Sequence, residues 1–248
     1  MVKRKLILLL VPISFLGFYI GYKIDTKTGN LDNSSSDINI ENIESDNKSL
    51  SNFFSDTVAS ANRAVKGDLK TKFNEAKDKS RNTKGWIYVE NSRINYPVML
   101  GENAYYLNRT FDGKPSADGA IFLDQSQAGF GAVNVIHGHN LINGRMFSDL
   151  HKFYRKETTN DMKYAYIYDG ESDIEKKYEV FSTIRVPVSY NIKLNIKKIP
   201  EMRQYAEELK AQSLYKYNHE LTDNPILIIN TCMSDGSNDH LLIVMQEV

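Results

Sequence analysis

Apolar residues along the chain follow two different patterns. Near the start, one unbroken run from Leu6 to Tyr22 follows Lys3-Arg4-Lys5. Beyond Gly85 they come in short bursts: Trp86–Val89, Ile94–Met99, Ala120–Asp124, Ala132–His137, Lys163–Tyr168, Tyr178–Arg185, Ile226–Thr231 and Leu241–Gln246. These bursts are rich in β-branched and aromatic residues and are bounded by Gly, Asn, Asp and Ser, which predicts strands. About eight short strands with few helices predict a mainly β domain, either a closed barrel or a sandwich.

Two stretches carry the helical period instead. Glu201–Ser213 places Met202, Tyr205, Ala206 and Leu209 on one face, which predicts a surface helix inserted before the Ile226 strand. Between Phe53 and Asn82, the apolar residues Phe54, Val58, Ala61, Val65, Leu69 and Phe73 recur every three to four positions, predicting an amphipathic helix packed on the following domain. From Asp25 to Asn52 the chain is mostly Asn, Ser, Asp, Thr and Lys, too polar to bury a core, and is expected to be a spacer.

The Leu6–Tyr22 run is just long enough to span a bilayer. No small-x-small cleavage pattern follows it, so an uncleaved anchor is expected rather than a removed signal peptide. The basic residues before it place the remainder outside the cell. The expected organisation is an anchor over 1–24, a spacer over 25–52 and one folded domain with an N-terminal helical segment over 53–248, giving a single-pass membrane protein with an extracellular domain.

Composition narrows the function. The 248 residues include 31 basic and 31 acidic side chains, a net charge of zero. That argues against a nucleic-acid partner, which needs a concentrated positive surface. No Gly-rich phosphate loop and no internal repeat is present, and no cofactor is expected.

Cys232 is the only cysteine, so in an exported chain it cannot form an internal disulfide. The apolar strand Ile226-Leu227-Ile228-Ile229 delivers it at the strand end, where Asp235-Gly236-Ser237-Asn238 turns the chain. A nucleophile there is rigidly held yet open to substrate. A thiol working at a carbonyl needs an acid/base partner, because its ordinary pKa of about 8.5 leaves it mostly protonated at neutral pH. His137 and His139, in Val135-Ile136-His137-Gly138-His139-Asn140, sit where another apolar strand breaks, and Cys and His on two strand tips can face each other across a groove. A histidine satisfied by backbone carbonyls is the structural alternative. A zinc site is disfavoured, because no acidic or cysteine partner is spaced to complete it. His151 and His219 lie among Lys, Tyr and Asn and read as solvated surface residues.

The ordered motifs Gly85-Trp86-Ile87, Ile94-Asn95-Tyr96-Pro97-Val98, Tyr106-Leu107-Asn108, Phe111-Asp112-Gly113-Lys114, Gly119-Ala120-Ile121-Phe122-Leu123-Asp124, Gly138-His139-Asn140, Met146-Phe147-Ser148-Asp149-Leu150 and Asn230-Thr231-Cys232 resemble the class B sortases. The resemblance runs from residue 85 to the end, and the Glu201–Ser213 helix is similar to that class's inserted helix. It implies an eight-stranded sortase-type β-barrel with an N-terminal helix. The activity it implies is that of a membrane-anchored cysteine transpeptidase of a Gram-positive surface. Such an enzyme cuts a secreted protein after a threonine in its C-terminal sorting motif and passes the acyl group to an amine of the cell-wall precursor.

On that resemblance Cys232 matches the nucleophile and His139 the acid/base, while Asn103, Leu107, Asn230 and Thr231 match substrate contacts. Two positions depart. Where the family carries an arginine before the last apolar strand, this chain has His240, which would be a weaker donor to the substrate carbonyl. Arg185 is a second candidate for that duty. His137 stands where tyrosine is frequent and reads as a residue that either supports the site from behind or packs there. A catalytically weak relative that binds surface peptides is the competing reading, motivated by His240.

Overall fold

A computed structural model describes residues 66–155 and 162–248. The expected anchor, the spacer and the part of the helical segment before Lys66 lie outside the described residues. Among the described residues no helix is long and apolar enough to cross a membrane.

Eight strands close into one barrel. They are β1 (Thr83–Val89), β2 (Asn95–Met99), β3 (Ile121–Leu123), β4 (Val133–His137), β5 (Tyr164–Asp169), β6 (Ile174–Pro187), β7 (Ile226–Cys232) and β8 (Asp239–Glu247). Round the barrel the order is β1-β2-β3-β4-β7-β8-β6-β5. The β2–β3 and β4–β7 pairs are parallel and the rest antiparallel. Each strand predicted from the apolar bursts has its counterpart here.

The first helix, α1 (Leu69–Lys79), is capped by Asp68, whose carboxylate accepts from the Lys70 amide at 3.0 Å. Its Leu69 and Phe73 are buried with Tyr88 of β1 and Tyr168 of β5. The second long helix, α4 (Ile199–Ala211), lies between β6 and β7 in sequence and buries Met202, Tyr205, Ala206 and Leu209, the face expected from the sequence. Two short helices escape the helical period because they are one turn each: α2 (Asn103–Tyr106), and α3 (His151–Tyr154) entered through a 3₁₀ turn at Ser148–Leu150.

Strand parity explains where the site falls. Successive strand residues face opposite sides of the sheet. Leu227 and Ile229 of β7 join Leu241, Ile243 and Met245 of β8 in the barrel interior. Ile226 and Ile228 join Leu242, Val244 and the apolar face of α4 on the outside. Both faces are covered, which is why Ile226–Ile229 is apolar without alternation. Continuing the outer parity leads to Asn230 and Cys232, beyond the stretch that turns apolar residues to α4. The same parity puts His137 after Val133 and Val135, and His240 before Leu242 and Val244. The registers pair His137 with Asn230 and Cys232 with His240, so four polar residues share one outer corner of an otherwise apolar wall.

Candidate active site

Cys232 is the last residue of β7 and is exposed. The protein around it still removes enough water to push the thiol up from its ordinary value, since desolvation disfavours the thiolate. It opens into a cavity of about 330 Å³ lined by Asn103, Leu107, Phe122, His137, Gly138, His139, Asn230, Thr231, Cys232 and His240. Cys232, His139, His240 and the four expected substrate contacts all line this one groove; Arg185, the second candidate for the donor's duty, does not.

His139 lies two residues past β4. Gly138 between the histidines is obligatory, because a Cβ there would come within 2.3 Å of Ile121 and 2.7 Å of Phe147. His139 Nε2–H donates to the Leu107 carbonyl oxygen at 2.8 Å, and its own carbonyl accepts from the Phe147 amide at 2.9 Å. The ring and backbone are thereby fixed, and Nδ1 has no hydrogen-bond partner among the described residues.

His137 is more than packing. Its Nε2 lies 3.0 Å from Asp124 Oδ2, and its Nδ1 accepts from Asn230 Nδ2 at 3.1 Å. One face packs on Phe122 with ring centroids 5.4 Å apart. The His137 hydrogen bond is the main cause that holds the Asp124 carboxyl well below the usual carboxylate range, against the opposing effect of burial. Asn230, 6 % exposed, keeps Oδ1 buried with no partner.

His240 stands opposite Cys232 in the β7–β8 register. Burial lowers its pKa, the neighbouring His137 lowers it further, and Asp239 opposes them. That direction favours the uncharged ring, which offers one N–H donor, unlike the permanently charged fork of an arginine. Arg185 does not fill the gap. Its guanidinium donates to Asp239 at 2.6 Å, Tyr154 at 3.0 Å and Ser237 at 3.1 Å, and pairs with Asp235 at 2.8 Å. It braces the turn between β7 and β8, and it is absent from the groove lining.

The four expected substrate contacts divide by what their polar atoms already do. Asn103 donates to Asp124 at 3.2 Å and accepts from the Gln125 amide at 2.8 Å. Thr231 Oγ1 donates to the Gly138 carbonyl at 2.8 Å and is 2 % exposed. These two hold the groove's shape. Leu107, 37 % exposed, keeps an open surface for a ligand, while Asn230 holds a buried Oδ1 with no hydrogen-bond partner.

Sequence reasoning misplaced two histidines. His151 is buried, with Nε2 3.0 Å from the Cys232 carbonyl oxygen. His219 is also buried, 3.2 Å from Gln246 Oε1 and stacked on Phe181. Their polar sequence neighbours point outward while these rings point inward, a distinction that a one-turn helix or an irregular segment does not encode. The part played by Asp124 was legible only through the pairing of β3 with β4, since Phe122 stands opposite His137. Among the described residues no cluster of three or more His, Cys, Asp or Glu is placed to hold a metal.

A closed barrel with a cysteine and a histidine at the ends of the adjacent parallel strands β7 and β4 is the architecture of the sortases. No protein-family model matches the sequence. Sortase B of Listeria monocytogenes is 24% identical over 197 residues, covering 77% of this chain and 78% of that protein. Sortase B of Staphylococcus aureus is 25% identical over 153 residues, covering 60% and 62%. The X-ray structure of Clostridium perfringens sortase B superposes with a TM-score of 0.65 at 27% identity, over 71% of this chain and 98% of that one. In sequence and in fold the chain is similar to the class B sortases.

Proposed function

We propose that this chain is a working cysteine transpeptidase, anchored through residues 6–22 with its catalytic domain outside the cell. The observation that carries the reading is the convergence of Cys232 and His139 on one groove, each held by a rigid strand end. Cys232 passes its thiol proton to His139 as Sγ attacks the backbone carbonyl of a threonine in the sorting motif of a secreted protein, forming a tetrahedral oxyanion. As the C–N bond breaks, His139 protonates the departing amine, leaving a thioester on Cys232. An amine of the cell-wall precursor then attacks the thioester, restoring the thiol and joining the two chains by an amide. His240, opposite Cys232 in the strand register, donates one N–H to the developing oxyanion.

A second reading has its own observation. With His240 there and Arg185 committed elsewhere, the groove carries no permanently charged donor in the position the family's arginine holds, so the chain would bind sorting peptides with little turnover. Incubation with an oligopeptide library separates the two. The proposal expects wild-type cleavage that disappears in Cys232→Ala and in His139→Ala. Binding without cleavage by the wild type would establish the second reading instead.

A further inference from the structure

We infer that His151 is a positioning residue that ties the nucleophile's strand end to the segment carrying His139. The inference rests on the assignment of Cys232 as nucleophile. His151 opens the short helix α3, is 8 % exposed, and has no part in the chemistry above. Its ring lies where three segments meet. Nε2 is 3.0 Å from the carbonyl oxygen of Cys232 and 2.7 Å from the side-chain amide of Asn140, the residue after His139. That same amide lies 3.3 Å from the Cys232 carbonyl, and Nδ1 lies 3.3 Å from Ser234 Oγ.

Either tautomer links the ring to Asn140 and Ser234. With the proton on Nδ1, the ring donates to Ser234 Oγ, and Asn140 Nδ2 donates both to Nε2 and to the Cys232 carbonyl. With the proton on Nε2, the ring donates to the carbonyl directly, Asn140 turns its amide oxygen to the ring, and the Ser234 hydroxyl donates to Nδ1. In the first, Asn140 bonds the Cys232 carbonyl itself and the buried ring ties Asn140 to Ser234; in the second, the ring ties the Cys232 carbonyl to Asn140 directly. The far side of the junction is rigid as well. Ser148 Oγ donates to the Leu141 carbonyl and accepts from its amide at 2.6 and 2.8 Å, and the buried Asp149 is gripped by Arg93. The loop that places His139 and the turn that places Cys232 therefore cannot shift independently. A displacement of about 1 Å in a reacting group can cost a hundred-fold in rate.

Acylation by p-nitrophenyl acetate tests this without a sorting peptide. Cys232 Sγ attacks the ester carbonyl, the C–O bond breaks, p-nitrophenolate leaves with its electron pair, and the acetyl group remains as a thioester. Rates are read per titratable thiol, so that a lower folded fraction does not register. His151→Phe keeps the ring volume and removes both nitrogens; its acylation rate should fall about ten- to a hundred-fold. His151→Gln restores a donor and should recover most of that loss. Asn140→Ala should also slow acylation, and should add little to His151→Phe, because both act through one junction.

A His151→Phe variant that acylates at the wild-type rate per thiol overturns the inference, whatever its melting temperature. If that variant does not fold, wild-type rates in Asn140→Ala overturn it equally. A wild-type protein acylated by the ester that cuts no peptide fails the transpeptidase reading and leaves the inference standing. A wild-type Cys232 inert to the ester ends both.

Discussion

His240 and Cys232 face each other across one register pair, and the chemistry of the groove turns on what an imidazole can do there in place of a guanidinium. If its single N–H supports the oxyanion, His240→Ala should lower peptide cleavage by about the hundred-fold typical of a lost donor. His240→Arg should match or exceed the wild type, since the groove regains a charged fork. Equal rates in all three, measured as cleavage at saturating peptide, would make His240 a bystander, and Arg185 could not inherit the role while Asp235 and Asp239 hold it. The thiol has its own signature. Because burial raises its pKa, less of Cys232 is thiolate at neutral pH than in a free cysteine. Alkylation by iodoacetamide in the absence of peptide should therefore rise with a midpoint above that of free cysteine. A midpoint below it would mean that the resting thiol is already ionised by a neighbour.

At the level of elements, the strands were legible because the apolar bursts report two covered faces, and α4 because its 3.6-residue stripe supplies one of the covers. The boundaries differ where pairing overrides composition. β6 begins at Ile174, among charged residues, because it pairs with β5 there, with Asp169 standing opposite Ile174. The catalytic corner was legible through parity at Asn230, Cys232 and His137. The junction at His151 was not, because it depends on a segment that folds back by a 3₁₀ turn. That turn is held by Asp149, 4 % exposed, which accepts from the Arg93 backbone amide at 2.8 Å and from its guanidinium at 2.7 Å. Burial works to raise the Asp149 carboxyl, but the Arg93 hydrogen bonds and charge, with Lys152, hold it below its ordinary value. A depressed carboxyl contributes stability above its unfolded pKa of about 3.9 and loses it as pH falls through the lower folded value. Asp149→Asn should thus be less stable than wild type by about 1–3 kcal/mol at pH 7. Urea unfolding repeated near pH 3 should show the gap narrowed; a gap that widens in acid would contradict the assignment.

For the whole molecule, the barrel closes on itself and α1 packs on it through Leu69 and Phe73. Removal of residues 1–25 should leave the circular dichroism spectrum and peptide cleavage of the remaining chain unchanged while releasing it from membranes. A truncated protein that fails to fold would place part of the core in the N-terminal segment. The sequence carried the class of fold and the strand ends that bring Cys232 and His139 to one groove, since both rest on local pattern. It could not show that Asn103 and Thr231 are committed to holding the groove, or that Arg185 braces a turn, because those bonds join residues distant in sequence.

The central claim is that Cys232 carries the acyl group. Intact-protein mass spectrometry of the wild type, quenched in acid during turnover of a cleaved peptide, measures it directly. The account predicts an adduct equal in mass to the N-terminal acyl fragment, located on Cys232, released by hydroxylamine and absent from Cys232→Ala. Peptide cleavage that persists in Cys232→Ala, or that proceeds in the wild type with no hydroxylamine-sensitive adduct at any time point, would contradict it.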